Sequence, residues 1–164
     1  MILLTIGTQL PFERLVQMID ALASELSEPV FGQIGRSTYQ PEHFEWVETL
    51  APRDFDQKFR SARLVVSHAG IGTILTAEKY GKPLILFPRQ ARYGEHRNDH
   101  QLATCAQLTL RPGLAVAHDE AQLASLIRSD LPAPARDENL QRKRDDFVAN
   151  LRQSVTQLLE PSRS

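Results

Sequence analysis

Cysteine is almost missing: Cys105 stands alone in 164 residues, so no disulfide can form within the chain. Such a chain reads as a protein of a reducing, cytosolic compartment, with Cys105 a buried helix residue rather than a nucleophile. Long hydrophobic runs are missing too. None approaches the roughly 18 to 20 residues of a membrane span, and Met1 leads straight into a strand pattern with no basic segment before it. The expectation is a chain soluble by itself. Net charge is nearly absent, at −1, which gives no general reason to expect nucleic-acid binding. Internal repeats and low-complexity tracts are lacking. What basic charge there is has a bias, since all of it except Lys58, Lys79, Lys82 and Lys143 is arginine, the side chain that grips phosphate or carboxylate in a fork.

What is present is ordinary globular composition, 41% apolar and 24% charged, enough for one domain with a real core. Apolar runs place strands near Ile2–Ile6, Val30–Ile34, Phe44–Val47, Leu64–Ser67, Leu84–Phe87 and Leu114–Val116. Helical patterns lie between most of them. Phe12–Leu26 carries an apolar stripe, with Pro11 where a first helical turn tolerates it. Pro52–Arg60, Thr73–Tyr80, Asn98–Leu108 and Asp119–Arg128 read as shorter helices, Asp119 suiting the dipole at a helix start. Strands alternating with helices predict parallel pairing and right-handed crossovers, a doubly wound, Rossmann-like α/β sheet spanning residues 1–130. Two prolines in Leu131-Pro-Ala-Pro-Ala break the pattern, and 131–136 reads as a linker. Beyond it, Asp137–Glu160 sets Leu140, Phe147, Val148, Leu151, Val155 and Leu158 on one face, an amphipathic helix that docks on its own sheet, on a partner or on a membrane surface.

In an open parallel sheet, ligands collect beyond the carboxyl ends of the strands. Two strands here end in small polar residues: Gly7-Thr8-Gln9, and Ser67-His68-Ala69-Gly70-Ile71-Gly72-Thr73. Glycine lets backbone N–H groups approach a ligand, and a helix beginning near Ile71 or Gly72 offers unpaired N–H groups and a positive dipole end to a pyrophosphate. The spacing alone is weak, because Gly70-x-Gly72 lacks the third glycine of a dinucleotide fingerprint and no Gly-Lys-Ser/Thr P-loop follows. A tight strand-to-helix turn without a ligand needs the same glycines. Glu78, two turns into that helix, is either a solvated helix acid or a carboxylate accepting both hydroxyls of a ribose.

A polar cluster follows the fifth strand: Arg89, Arg92, Glu95, His96, Arg97, Asn98, Asp99, His100 and Gln101. It suits recognition of a hydroxyl-rich, anionic ligand such as a sugar acid, or else it is a charged loop whose Asn98 or Asp99 caps the next helix. Two features resemble metal sites and are read otherwise. Asp54 and Asp56 start a helix after Pro52, where acids favour the dipole, and the His96/His100 pair lacks both the adjacent Glu and a third ligand of a zinc motif. No metal is expected.

Taken together, ILLTIGTQLPFERL, SHAGIGTILTAEKYGKPLILFP and RYGEHRNDHQLA resemble the C-terminal domain of glycosyltransferase family 28. The likeness covers residues 1 to 128. It is nearest the small PssE-type subunits of bacterial exopolysaccharide and capsule synthesis and the catalytic half of the eukaryotic dolichol-linked GlcNAc transferase. What the resemblance implies is one half of a GT-B fold that binds a UDP-sugar without metal, while a membrane-anchored subunit supplies the acceptor half and a polyprenyl-diphosphate-linked sugar. The chain would then sit in the cytoplasm, peripheral at the inner membrane through that partner.

Carried onto this sequence, Gly7 and Thr8 would face the diphosphate, the Ser67–Thr73 turn, including Ala69, would hold the diphosphate and uridine, and Gln9 would belong to the same donor site. Ile71 would lie near uracil and Glu78 would hold the ribose. Asn98, Asp99 and Gln101 would take donor-sugar hydroxyls, with Arg89, Glu95 and His100 as further site residues. His68 stands where some members of the wider family have arginine. The general base is not identifiable. The implied reaction is inverting transfer of a sugar, glucuronate or galactose being candidates, in exopolysaccharide synthesis. Two other readings compete: a non-catalytic accessory subunit that enhances a partner glycosyltransferase, and the UDP-GlcNAc 2-epimerases, which share the GT-B architecture in longer chains.

Overall fold

Six short apolar runs separated by turn residues become six strands. The computed structural model describes residues 1–108 and 112–134. In chain order these hold β1 (Ile2–Thr5), α1 (Glu13–Ala23), β2 (Val30–Gln33), β3 (Glu45–Val47), α2 (Pro52–Ser61), β4 (Leu64–Ser67), α3 (Ile71–Tyr80), β5 (Leu84–Leu86), α4 (His100–Leu108), β6 (Leu114–Val116) and α5 (Glu120–Arg128). All strand pairs are parallel, in the order β3-β2-β1-β4-β5-β6, the doubly wound arrangement expected from the alternation of elements. Ile2 is in register with Val30 on one side and Leu64 on the other.

Because side chains alternate across a strand, the sheet has two cores. Ile2, Leu4, Leu64, Val66 and Ile85 pack with Leu15, Val16 and Ile19 of α1 and with Leu123 and Ile127 of α5. Leu3, Val65, Leu84 and Leu86 face the other way, onto Phe59 of α2, Ile74 and Ala77 of α3 and Cys105 of α4. Each of these fully buried aliphatic side chains contributes about 1.5 to 3 kcal/mol of transfer free energy. Cys105 is a core residue whose thiol burial pushes up to about 11, so it is protonated near neutrality. No helix among the described residues is long and apolar enough to cross a membrane.

The boundaries shift where tertiary packing outweighs local pattern. Phe12 is the N-cap of α1 rather than its first residue, with φ −142°, because its ring is fully buried and packs 6.1 Å from Phe87. Pro11 therefore precedes the cap and is outside the first turn. The same helix stops at Ala23, while α3 starts two residues earlier than its apolar pattern and α4 two residues later. Of the expected linker, Leu131 packs on the first core and Pro134 lies against Gly113, where a Cβ would meet the Pro134 nitrogen at 2.4 Å. The expected helix over Asp137–Glu160 lies outside the described residues.

Candidate functional site

The strand order reverses between β1 and β4: β1 leads into α1 on one face and β4 into α3 on the other. A crevice opens beyond the carboxyl ends of such neighbouring strands. It is a cavity of about 650 Å³. Of the residues singled out in the sequence, Gly7, Thr8, Gln9, His68, Gly70, Ile71, Gly72, Thr73, Arg89 and Gln101 line it. Among the described residues, no carboxylate lines it.

One wall is the start of α3. Its N-cap is Gly70, which has no side chain with which to cap, and its first turn holds no acid. Gly70 accepts from the N–H groups of Thr73 and Ile74 through its carbonyl, each at 3.2 Å, while the N–H groups of the earliest helical residues remain for a ligand. Gly72 is inside the helix, where glycine costs about 1 kcal/mol relative to alanine. A Cβ there would meet nothing within 4 Å. Packing within the protein thus gives no reason for glycine at this position, and its bare face belongs to the cavity.

His68 sits between two glycines. A Cβ at Gly70 would come within 2.4 Å of its Nε2, a clash that the imidazole could escape only by moving, and one at Gly7 would lie a tight 3.0 Å from its Cε1. Gly7 also has φ +78°, a conformation that disfavours other residues. Burial lowers the His68 pKa to about 4, helped by the nearby Arg89 cation and opposed by a hydrogen bond to the Thr5 backbone. The ring is neutral near pH 7. A diphosphate beside it would reverse the balance by favouring the imidazolium.

Arg89 organises the wall opposite. It is 2% exposed, and its guanidinium donates to the carbonyls of Ile6 (3.0 Å), Leu10 (2.8 Å) and Pro11 while covering the Phe12 ring at 4.5 Å. Burial draws its pKa down to about 10, still well above neutrality. Arg89 thus lines the cavity while its donors hold the loop that carries Gly7, Thr8 and Gln9. Gln101, 5% exposed, ties the two neighbouring loops together, its Oε1 accepting from the backbone N–H of Ala69 (3.2 Å) and of Arg89 (3.0 Å).

The other expected residues do not line the cavity. Ser67 is fully buried and donates to the His68 carbonyl at 3.0 Å, and Ala69 is buried beside it. Glu95 forms a two-pronged pair with Arg14, Nε to Oε1 at 2.6 Å and a second nitrogen to Oε2 at 2.8 Å, and also accepts from the Gln90 N–H. Arg14 lies 4.6 Å from the centroids of both Phe87 and Tyr93. This pair anchors the 89–96 loop rather than a sugar. Asp99 accepts from the Ala91 N–H at 2.8 Å, and the Asn98 oxygen contacts the His100 ring. All three are exposed, and these bonds brace the turn that leads into α4. Glu78 is half-buried on α3. It shares a flank with Ile71 and Leu75, seven and three residues earlier, and those two are 60% and 40% exposed.

Sequence reasoning missed Thr5, Ile6, Leu10, Gln33, Leu50, Pro52, Phe55 and Thr76 as lining residues, while His96, one of the polar cluster after the fifth strand, does line the cavity. Strand adjacency brings Gln33 beside β1, a placement that no local signal in the chain reveals. Among the described residues no group of three or more His, Cys, Asp or Glu could hold a metal ion.

The fold is that of one Rossmann-like half of a GT-B glycosyltransferase, and solved structures bear this out. CalG4, the calicheamicin glycosyltransferase, superposes with a TM-score of 0.63 at 18% identity over 99% of this chain and 43% of its own. The glycosyltransferase SsfS6 of Streptomyces sp. SF2575, complexed with thymidine diphosphate, gives 0.56 at 20% identity over 87% of this chain and 40% of its own. ALG13 gives 0.56 at 17% identity over 86% of this chain and 92% of its own. The chain thus spans about two fifths of the first two proteins and nearly all of the third. No curated protein matches the sequence. The model of the glycosyltransferase family 28 C-terminal domain matches residues 1–156, and the chain belongs to that family.

Proposed function

We propose that this domain is the donor-binding catalytic subunit of a two-component inverting glycosyltransferase that takes a UDP-sugar. The observation that carries the reading is the start of α3: a helix N-terminus with no side-chain cap and a bare glycine at 72, opening on a cavity that no carboxylate of the described residues lines. Backbone N–H groups and a positive dipole end there suit a diphosphate. Thr8, Thr73 and the Gln101 amide add hydrogen bonds, and Leu50, Pro52, Phe55 and Ile71 give a base apolar surface.

In the reaction an acceptor hydroxyl attacks the anomeric carbon, the bond to the diphosphate oxygen breaks, and negative charge collects on the leaving phosphate. The α3 terminus meets that charge with fixed dipoles, which is where electrostatic preorganisation lowers a barrier. His68 takes up a proton more readily as the charge grows. No metal enters this account: among the described residues, those that line the cavity include no carboxylate to hold Mg²⁺ or Mn²⁺. The likeness to PssE-type proteins supports a role in exopolysaccharide or capsule synthesis. It also supports a membrane-anchored partner that brings the general base and a polyprenyl-diphosphate-linked acceptor.

The test is calorimetry with UDP in excess EDTA, followed by transfer assays with and without the membrane partner. UDP binding without metal, and transfer only by the pair, are the expected results. Robust transfer by this chain alone would remove the two-component reading. Glu78→Ala sharpens the donor assignment: if its flank of α3 meets the ribose, UDP affinity falls by about 1.5 to 3 kcal/mol, the range for a hydrogen bond to a charged group. Unchanged affinity would take Glu78 out of the site.

A further inference from the structure

His96 lines the cavity and has had no role so far. It follows a residue held from two sides: the Glu95 carboxylate forks onto Arg14 and accepts from the Gln90 N–H, while the Glu95 carbonyl accepts from Arg89 at 3.5 Å. Residue 96 therefore stands at a fixed point of the loop after β5. Its ring meets that of His100, the first residue of α4, edge to face with centroids 4.5 Å apart. The backbone N–H of Asn98 faces Nδ1 from 3.5 Å. A donor at Nδ1 leaves the proton of the neutral imidazole on Nε2, so the ring carries a hydrogen-bond donor at its outer end.

The strand order says what that donor would meet. Leu50, Pro52 and Phe55 follow β3, the open start of α3 follows β4, and His96 follows β5, and the sheet runs β3-β2-β1-β4-β5. A nucleotide with its base on the apolar residues and its diphosphate at α3 thus has its far end directed toward β5, one strand spacing of about 4.8 Å further on. His96 is also near enough to His68, beside the start of α3, to help hold the His68 pKa down, which puts it at the phosphate end of the cavity rather than the base end. Resting on the donor reading above, we infer that His96 is a catalytic residue whose Nε2–H donates to the β-phosphate, the one that carries the sugar. As the sugar–oxygen bond breaks, its electron pair stays on that phosphate and the hydrogen bond strengthens without any proton changing hands. A bond that strengthens with developing charge favours the transition state over the bound donor.

A purely structural role, bracing the turn into α4 through His100, is the rival account. Calorimetry with UDP and UMP at pH 8, on wild type, His96→Ala, His96→Gln and His96→Asn, separates the two, with melting curves alongside. UMP lacks the β-phosphate, and the Gln amide nitrogen can take the place of Nε2 whereas the shorter Asn can take only that of Nδ1. His96→Ala and His96→Asn are expected to lose UDP affinity by roughly 10- to 100-fold with UMP affinity kept within about twofold, and His96→Gln to retain most of both. UDP and UMP weakening together in His96→Ala would overturn the inference in favour of the brace, as would undiminished UDP affinity in that variant or rescue by Asn and not by Gln. Wild type that binds UDP no more tightly than UMP would also overturn it while leaving a nucleotide site in place. If wild type binds neither nucleotide, the donor reading itself falls and takes this inference with it.

Discussion

Two helices begin at the same edge of this sheet and begin differently. α5 follows β6 with Asp119 as its N-cap, whose carboxylate accepts from the Gln122 N–H at 2.8 Å, and Glu120 occupies its first turn. α3 follows β4 with Gly70 as its cap and no acid. The first terminus answers its own unpaired N–H groups and its dipole from within the chain. The second leaves both to something else. The same backbone device, opened or closed by one or two side chains, separates a structural turn from a candidate anion site.

The largest expected effect comes from removing the support of the open terminus. Arg89→Leu strands the Ile6, Leu10 and Pro11 carbonyls, and the loss should reach about 3 kcal/mol or more, given roughly 1 to 3 kcal/mol for each buried group left unsatisfied. Urea denaturation would measure it. A much smaller loss would mean that water replaces the guanidinium and that the 6–11 loop does not depend on it.

A second break uses pH. The folded-state pKa of His68 is lowered to about 4 from 6.5, so between those values the unfolded chain binds a proton that the folded ring refuses. Stability should fall as pH drops from about 6.5 toward 4 and be unaffected by this group above 6.5. UDP affinity should rise over the same interval, because bound phosphate favours the imidazolium. Melting curves of wild type and His68→Gln between pH 4 and 7 test the stability claim, and equal slopes would contradict it.

The smallest effect belongs to the closed terminus. Asp119→Ala should cost about 1 kcal/mol of stability, the usual worth of an N-cap, and leave UDP binding untouched. A change in UDP affinity would erase the contrast between the two helices.

Much of this was legible in the sequence, and the exceptions have a common cause. Strands such as Leu64–Ser67 stand out because buried parallel strands are unbroken apolar runs, and the Gly7 and Gly70–Gly72 loops stand out because glycine punctuates strand ends. Asp119 was readable as a helix start. What escaped reading depends on contacts distant in sequence. Arg14 and Glu95 pair across 81 residues, so a polar loop residue that looked like a sugar ligand proves to be a tether. Arg89 reaches carbonyls some 80 residues earlier. Gln33, Leu50 and Phe55 join the site only through the strand order, and each taken alone resembles an ordinary strand or helix residue.

The central claim is that the start of α3 is left open for an anion, and Gly72→Asp tests it most directly. A Cβ at 72 enters open space, and an acid in a first helical turn is locally favourable, so the melting temperature should hold or rise by the equivalent of about 1 kcal/mol. UDP affinity measured by calorimetry should fall on the order of 100-fold, because a carboxylate would stand where the phosphates are held. A stable variant that binds UDP as tightly as wild type would contradict the account.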